Sequence, residues 1–347
     1  MATLSDVAAE AGVSPTAVSR YLNNRIDLPQ ATRDRIDAAI AKLDYRPNLL
    51  ARRLSTGKSE AIAFVTPDIA NPFFAELAAA VERHAHANGY SVYITSTGGN
   101  ADAEINAIRR MADSHVDGLI MTTNRVDDGS LANLLAGREN VVLLDEDIAG
   151  VSVPRIFVDN AEGTYQAARH LIEMGHKDIA LIGGPHQLMS VNERLAGFTR
   201  AMDEAGLPVR PGWVMLGDYT RDYGVAAASV LLDAVDLPTA ILACSDYIAI
   251  GVIQVVRAHG LSIPGDISLV GFDDMAFAEL VDPPLTTIRQ PVAAMGELAV
   301  KHLLALLDGQ SPPAETRLPV ELVTRQSVAP PRNVAAFSNR KTGDHFS

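Results

Sequence analysis

The sequence predicts a small all-α head followed by a larger α/β body of two lobes, each a parallel sheet flanked by helices. Three observations carry this. The first fifty residues show helical periodicity only, short apolar strands alternate with amphipathic helices from residue 60 onward, and the strands are too numerous for one sheet. The 347 residues accommodate one small module and a large body, and 48% apolar content with 5% aromatics suits α/β layers.

In the head, Thr3 is placed to cap a first helix running to Ala11, with Asp6 three residues on, and Gly12 supplies the left-handed residue that ends it. Ser14 caps a second helix opening at Pro15, where a missing N–H costs nothing. Val7, Ala8, Ala11, Val18 and Leu22 fall at helical spacing and predict a shared inner face, which leaves Thr16, Ser19, Arg20 and Asn23 outward. A third helix from about Pro29 to Leu43 adds Ile36, Ile40 and Leu43 as a lid. Tyr45-Arg46-Pro47 then breaks the pattern. The segment NLLARRLS, closed by Thr56-Gly57, is about eight residues, too short for a helix stable alone in water.

In the body the strands AIAFV, VYIT, GLIM, VVLL and RIFV alternate with helices up to Asp159, and IALIG, WVML, AILA and LVGF continue the pattern beyond it. Such alternation means parallel sheets covered on both faces. Residues 285–328 supply the strand LTTI, a helix near 292–307 and a strand around LPVEL, expected to cross back between the lobes. The tail from Ala335 is polar, aperiodic and without heptads, which favours a dimer over a coiled-coil tetramer.

Charge separates the two parts. Residues 1–58 hold nine Lys/Arg and six Asp/Glu, net +3, whereas 59–347 carry net −16 within a total of −13. A basic head on an acidic body is the layout expected when only the head meets phosphate. A single cysteine, Cys244, excludes an internal disulfide framework and a cysteine-based zinc finger. With no signal-like start and no apolar run near the ~20 residues of a membrane span, the expected location is the cytoplasm.

The run TLSDVAAEAGVSPTAVSRYLNN resembles the N-terminal signature of the LacI/GalR family of transcriptional regulators, and TRDRIDAAIAKLDYRPNLLARRLSTGKS is similar to that family's third helix and hinge. Ala17 and Pro29 stand where the family usually has Thr and Ser. The resemblance extends to about Pro331. It implies a helix-turn-helix head whose second helix enters the major groove: Arg20 faces guanine, Thr16 an adjacent base edge and Pro15 a thymine methyl. Ser14, Ser19, Asn23 and Tyr45 go to phosphates. It also implies that the hinge enters the minor groove, with Leu54 as the wedge between base steps and Ala51 beside it. From the residues alone the head also reads as a plain three-helix bundle with a solvated Arg20.

For the body the resemblance is to periplasmic-binding-protein-like sugar-binding domains, carried by PDIANPFF, LLDED, SVNERLAG, GDY, CSDYIAIG, VGFDD and PPLTTIRQP. It implies a ligand cleft between the lobes at the C-terminal ends of the strands. Asp145, Arg194 and Asp273 face that cleft by resemblance, with Phe73, Phe74 and Tyr219 as aromatic walls and Ser245 where the family commonly has Asn. The residues alone also allow a structural Arg194–Asp273 ion pair, a split of Phe73 and Phe74 between cleft and core, and helix-capping roles for Asp246 and Asp274.

The expected domains are a head over 1–46, a hinge helix over 47–58, an effector-binding and dimerisation core over 59–333 with crossovers near 159, 288 and 320, and a tail over 334–347. The expected function is a repressor, a homodimer on palindromic operator DNA, whose affinity a small carbohydrate changes. The alternatives are a purine or phosphosugar effector, or a nucleotide-dependent enzyme. No G-x-G-x-x-G, Walker motif or Ser/His/Asp set stands out, so no catalytic residue, metal or cofactor is expected.

Overall fold

The Asp6 amide donates to Thr3 Oγ1, and the Thr3 amide donates to Asp6 Oδ2 at 2.8 Å, closing a reciprocal cap on α1 (Leu4–Ala11). Gly12 ends that helix at φ 64, its amide returning to the Ala8 and Ala9 carbonyls. Ser14 Oγ accepts from the Ala17 amide at the start of α2 (Pro15–Leu22), and α3 is Gln30–Lys42. Val7, Ala8, Ala11, Val18, Ile36, Ala39 and Tyr45 form the buried core of the three helices, with Leu22, Ile40 and Leu43 packed against it.

The computed structural model describes residues 2–22, 26–45, 58–113 and 116–332. The chain divides into two units, Met1–Ser59 and Glu60–Ser347. The hinge helix expected over 47–58, apart from Lys58, and the tail expected over 334–347 lie outside the described residues.

The second unit holds two six-stranded sheets. The N-terminal lobe is built on β1 (Ala61–Thr66), β2 (Ser91–Ser96), β3 (Gly118–Met121), β4 (Val141–Leu144), β5 (Arg155–Val158) and, late in the chain, β11 (Glu315–Leu318). Their order is β11-β5-β4-β3-β1-β2, all parallel. The helices of this lobe are α4 (Pro72–Ala87), α5 (Ala101–Asp113), α6 (Ser130–Leu135) and the late α11 (Val292–Leu307). On one sheet face Phe64, Ile120, Leu77, Val81, Met295 and Leu303 pack together, and on the other Val65, Met121, Ile108, Leu131 and Leu135. All six residues of β1 are buried, which is why AIAFVT reads as a continuous apolar run rather than an alternation.

The C-terminal lobe uses β6 (Ile179–Gly183), β7 (Val214–Leu216), β8 (Ala240–Ala243), β9 (Ser268–Asp273), β10 (Thr286–Arg289) and β12 (Glu321–Val323), in the order β12-β10-β9-β8-β6-β7. Only β12 runs antiparallel, against β10. Its helices are α7 (Asn160–Glu173), α8 (Met189–Glu204), α9 (Arg221–Leu232) and α10 (Asp246–Ala258). α7 and α8 cover one face through Ala168, Phe198 and Phe272, and α9 and α10 the other through Leu231, Val252 and Ile241.

The chain passes between the lobes three times, between β5 and α7, between β10 and α11, and between β11 and β12. The third passage corrects the expectation of one strand around LPVEL. Leu318 ends a strand of the N-terminal sheet, Pro319 and Val320 cross, and Glu321 begins a strand of the other. Proline has no N–H for a ladder, so it sits where pairing must stop.

In each lobe the strand next to the first on one side is its successor and on the other side the one after that. The direction of winding therefore reverses between β1 and β3 and between β6 and β8, where open α/β sheets bind ligands beyond the strand C-termini. No helix among the described residues is long and apolar enough to cross a membrane.

Candidate functional site

On the head, Ser14, Pro15, Thr16 and Arg20 are exposed and Ser19 is half-buried, on a helix whose inner side is anchored by the fully buried Val18. The first turn of α2 carries no acid, so its amides and Arg20 present positive potential on one side. Tyr45 differs from the expectation that it meets phosphate. The residue is 9% exposed and packs in the head core, where its amide, just beyond α3, donates to the Ile40 carbonyl at 3.0 Å. Asn23, Ala51 and Leu54 lie outside the described residues.

In the body the two winding reversals bring one set of side chains together. Asn71, Phe73, Phe74 and Asp145 come from the N-terminal lobe, Ser190, Arg194, Tyr219, Ser245 and Asp273 from the C-terminal lobe, and Gln290 from the passage between them. All seven residues expected at the cleft are in this set. The space left among them is about 30 Å³, room for about two waters. A larger ligand therefore enters only if the lobes or side chains part.

Arg194 is the organising cation. It is 4% exposed, donates through Nε to Asn160 Oδ1 at 2.8 Å and through Nη1 to the Cys244 carbonyl at 2.6 Å, and stacks 3.8 Å above Phe272. Burial opposes its charge, yet Tyr219, Asp273, Cys244 and Asp145 around it hold its pKa above the ordinary value. The partners of Arg194 are thus mainly a carbonyl, an amide and a ring, not the simple Asp273 ion pair the residues alone allowed.

Asp273 closes β9 at φ 120 and is held on both oxygens, by Ser245 Oγ at 2.9 Å and Gln290 Nε2 at 2.7 Å. Burial raises its pKa to about 6 against the pull of Arg194. Ser245 also caps α10, accepting from the Tyr247 amide at 3.1 Å, so its proton and one lone pair are committed and it orients Asp273. Asp145 follows β4 at φ 72, in the left-handed region that non-glycine residues occupy at a cost of about 1–3 kcal/mol. Its Oδ1 is enclosed with no hydrogen-bond partner, and enclosure pushes its pKa to about 7 despite Arg194. Gln290 Oε1 is likewise buried and unpartnered. Two enclosed acceptors among the cleft-lining residues thus have no protein donor.

Phe73 and Phe74 are not split between cleft and core. They meet edge to face at 5.2 Å and 68°, both line the cleft, and both pack into the N-terminal core. Asn71 caps α4 by accepting from the Phe73 amide, with Pro72 at the first helical position, and this fixes the pair. Burial raises the pKa of Tyr219. Asp246 and Asp274 brace the fold: Asp246 accepts from Thr287 Oγ1 and the Met275 amide, and Asp274 pairs with Arg289 and Arg325.

Residues 3–48 match the bacterial regulatory proteins of the lacI family, and residues 168–328 a periplasmic binding protein-like domain. Catabolite control protein A of Priestia megaterium is 33% identical over 327 residues, spanning 94% of this chain and 98% of that one. The chain belongs to the LacI family of bacterial regulatory proteins. It is a DNA-binding transcriptional regulator, and the reading of its α/β body as a nucleotide-dependent enzyme is set aside. The repressor PurR of Proteus mirabilis is 35% identical to this LacI-family chain over 95% of it and 97% of the relative. Among solved structures, the lac repressor dimer bound to operator and an anti-inducer superposes with a TM-score of 0.84 at 31% identity, covering 94% of this chain and 99% of that one. A complex of the regulator CelR with cellobiose superposes at 0.72 and 32% identity, covering 94% and 100%.

Sequence reasoning missed four cleft-side residues of this LacI-family body: Asn71, Ser190, Gln290 and Asn160, the last holding Arg194. Three lay inside segments already singled out, PDIANPFF, SVNERLAG and PPLTTIRQP. Each is an uncharged polar residue, a type that is common on any surface, so only the fold shows that it points inward.

Proposed function

We propose that the protein is a cytoplasmic homodimeric repressor that binds palindromic operator DNA through α2 and the hinge and releases it when a neutral carbohydrate occupies the cleft. The observation that carries the effector class is the pair of enclosed, unpartnered acceptors, Asp145 Oδ1 and Gln290 Oε1, beside the Arg194 guanidinium. Vicinal hydroxyls donate to such oxygens and accept from such a cation, and the C–H faces of a sugar rest on Phe73, Phe74 and Tyr219. A phosphosugar fits poorly, because the single cleft cation already faces two carboxylates, Asp145 and Asp273. The cellobiose bound to CelR supports the same class.

In the head, Arg20, Thr16 and Pro15 read base edges and Ser14 and Ser19 hold phosphates, with Asn23, Ala51 and Leu54 completing the contact. For the dimer contact the supporting feature is the edge of the N-terminal sheet, where Ile69, Tyr93 and Ile94 are 43%, 51% and 44% exposed. The lac repressor crystallised as a dimer on its operator supports the arrangement.

The test is a thermal-shift panel of neutral sugars, sugar alcohols, phosphosugars and purines on the purified protein, followed by operator binding with each hit. A saturable shift from a neutral sugar that is lost in Asp145→Ala and that weakens operator binding is expected. A shift from purines or phosphosugars alone would reassign the effector and leave the DNA reading in place.

A further inference from the structure

Helix α8 carries Arg194 into the cleft, yet its own sequence does not cap it. The residue at its N-cap is Leu188, which offers no side-chain acceptor, and Gln187 before it sits at φ 76. The free amides of the first turn are met instead by Glu146, a residue of the other lobe. Glu146 Oε1 accepts from the Met189 amide at 2.8 Å, Oε2 from the Ser190 amide at 3.3 Å, and Oε2 from the Ser190 hydroxyl at 2.6 Å. Its own loop adds the Asp147 amide at 3.1 Å. A carboxylate at a helix N-terminus satisfies orphan donors and complements the helix dipole.

Two further contacts join the lobes nearby. Arg317 of β11 grips Glu193 of α8 at 2.8 and 3.0 Å, and the Ala276 amide reaches Glu76 of α4 at 3.4 Å. Arg317 and Glu193 keep 33% and 24% of their side chains in water, whereas Glu146 is only 2% exposed. The buried contact dominates, since exposed pairs are weakened by solvent. Its position ties it to the ligand site: Glu146 follows Asp145, and Ser190, its partner, itself lines the cleft. Burying the carboxylate costs free energy that the four donors offset, and burial accordingly raises the Glu146 pKa. Such a contact is suited to a switch, because closure is favoured without being irreversible.

We propose that Glu146 latches the lobes as a positioning residue: closing the cleft and completing the first turn of α8 are one event, so the state that grips effector depends on a side chain that need not touch it. The coupling to ligand rests on the effector reading above; the latch does not.

The test is amide hydrogen exchange on the full-length protein without added ligand, comparing wild type, Glu146→Ala, Glu146→Gln and Glu146→Asp. Met189 and Ser190 amides are expected to exchange about tenfold faster in Glu146→Ala, the usual scale for a lost cap. Amides of β6 and β8 in the same lobe should be unchanged. Glu146→Gln keeps an oxygen acceptor and should restore most of the protection, whereas Glu146→Asp, one methylene short, should not. Unchanged exchange at Met189 and Ser190 overturns the latch, and so does acceleration spread equally over β6 and β8. With cellobiose as the probe on a wild type that binds it, Glu146→Ala should bind about tenfold more weakly, and equal affinities overturn the coupling. Failure of wild type to bind any sugar counts against the effector reading, while the exchange result still decides the latch.

Discussion

The guanidinium carbon of Arg194 lies 3.8 Å from the centroid of the Phe272 ring. The ring holds the plane of the fork, so Nε meets Asn160 and Nη1 meets Cys244 on fixed vectors. Lysine keeps the charge but neither the plane nor the fork. Arg194→Lys is expected to lower sugar affinity by about 100-fold, the scale of one or two lost charge-assisted hydrogen bonds, while ligand-free operator affinity stays at the wild-type level. Calorimetric titration and gel shift measure the two arms, and full sugar affinity in Arg194→Lys would remove the guanidinium from the binding site.

Gly184 directly follows β6 and lies against Tyr219. A Cβ there would stand 2.2 Å from Tyr219 Cε2 and 2.3 Å from Cζ, inside van der Waals contact. Gly184→Ala should therefore push the ring off its wall, lower sugar affinity about tenfold and cost about 1–3 kcal/mol of stability. Tyr219→Ala in the same chain should recover part of that stability, a coupling that a double-mutant cycle on denaturant midpoints detects. Strict additivity of the two losses would mean that the ring is not confined by Gly184.

Asp145 gives the protein a pH dependence of defined sign. Its carboxyl titrates at about 7 in the folded protein against 3.8 for the ordinary group. The folded state then holds a proton that the unfolded state lacks between those two values, so stability falls as pH rises through that window, by at most about 1.4 kcal/mol per pH unit. Asp145→Asn removes this titration and leaves the rest, including Asp273. The melting temperature of wild type should fall relative to Asp145→Asn between pH 5 and 7, with parallel curves counting against the shift. A sugar hydroxyl donating to Asp145 favours the ionised form, so affinity should rise through pH 7 with release of a proton.

Two substitutions in the head separate folding from recognition. Ile36 is fully buried in a core of seven residues. Ile36→Ala should cost about 2–5 kcal/mol, enough to unfold so small a module, and operator binding should disappear with sugar binding intact. Arg20→Ala, on the exposed side of α2, should leave the melting of the head unchanged while half-site discrimination drops by about 1–3 kcal/mol. Circular dichroism and competition gel shifts read both. A discriminating Arg20→Ala protein would exclude Arg20 from base contact.

Much of this was legible without coordinates because it rests on local signals. The caps at Thr3 and Ser14, the left-handed Gly12 and the buried runs AIAFVT and IALIG act within a few residues of chain, so sequence spacing exposes them. The motifs around Asp145, Arg194 and Asp273 likewise lead to one cleft. Tyr45 and LPVEL mislead for the opposite reason: whether an aromatic faces in, and which sheet a short strand joins, depend on packing partners far away in the sequence.

The sequence by itself determined most of the order of helices and strands and the division into a basic head and an acidic body, and its family resemblance pointed to the charged and aromatic residues that meet between the lobes. Only the tertiary structure decided what those residues hold. Leu188 leaves α8 uncapped until Glu146 arrives from the other lobe, and Arg194 is fixed by a carbonyl 50 positions away. A buried hydrogen bond depends on where packing brings its two ends, and that information belongs to the fold as a whole.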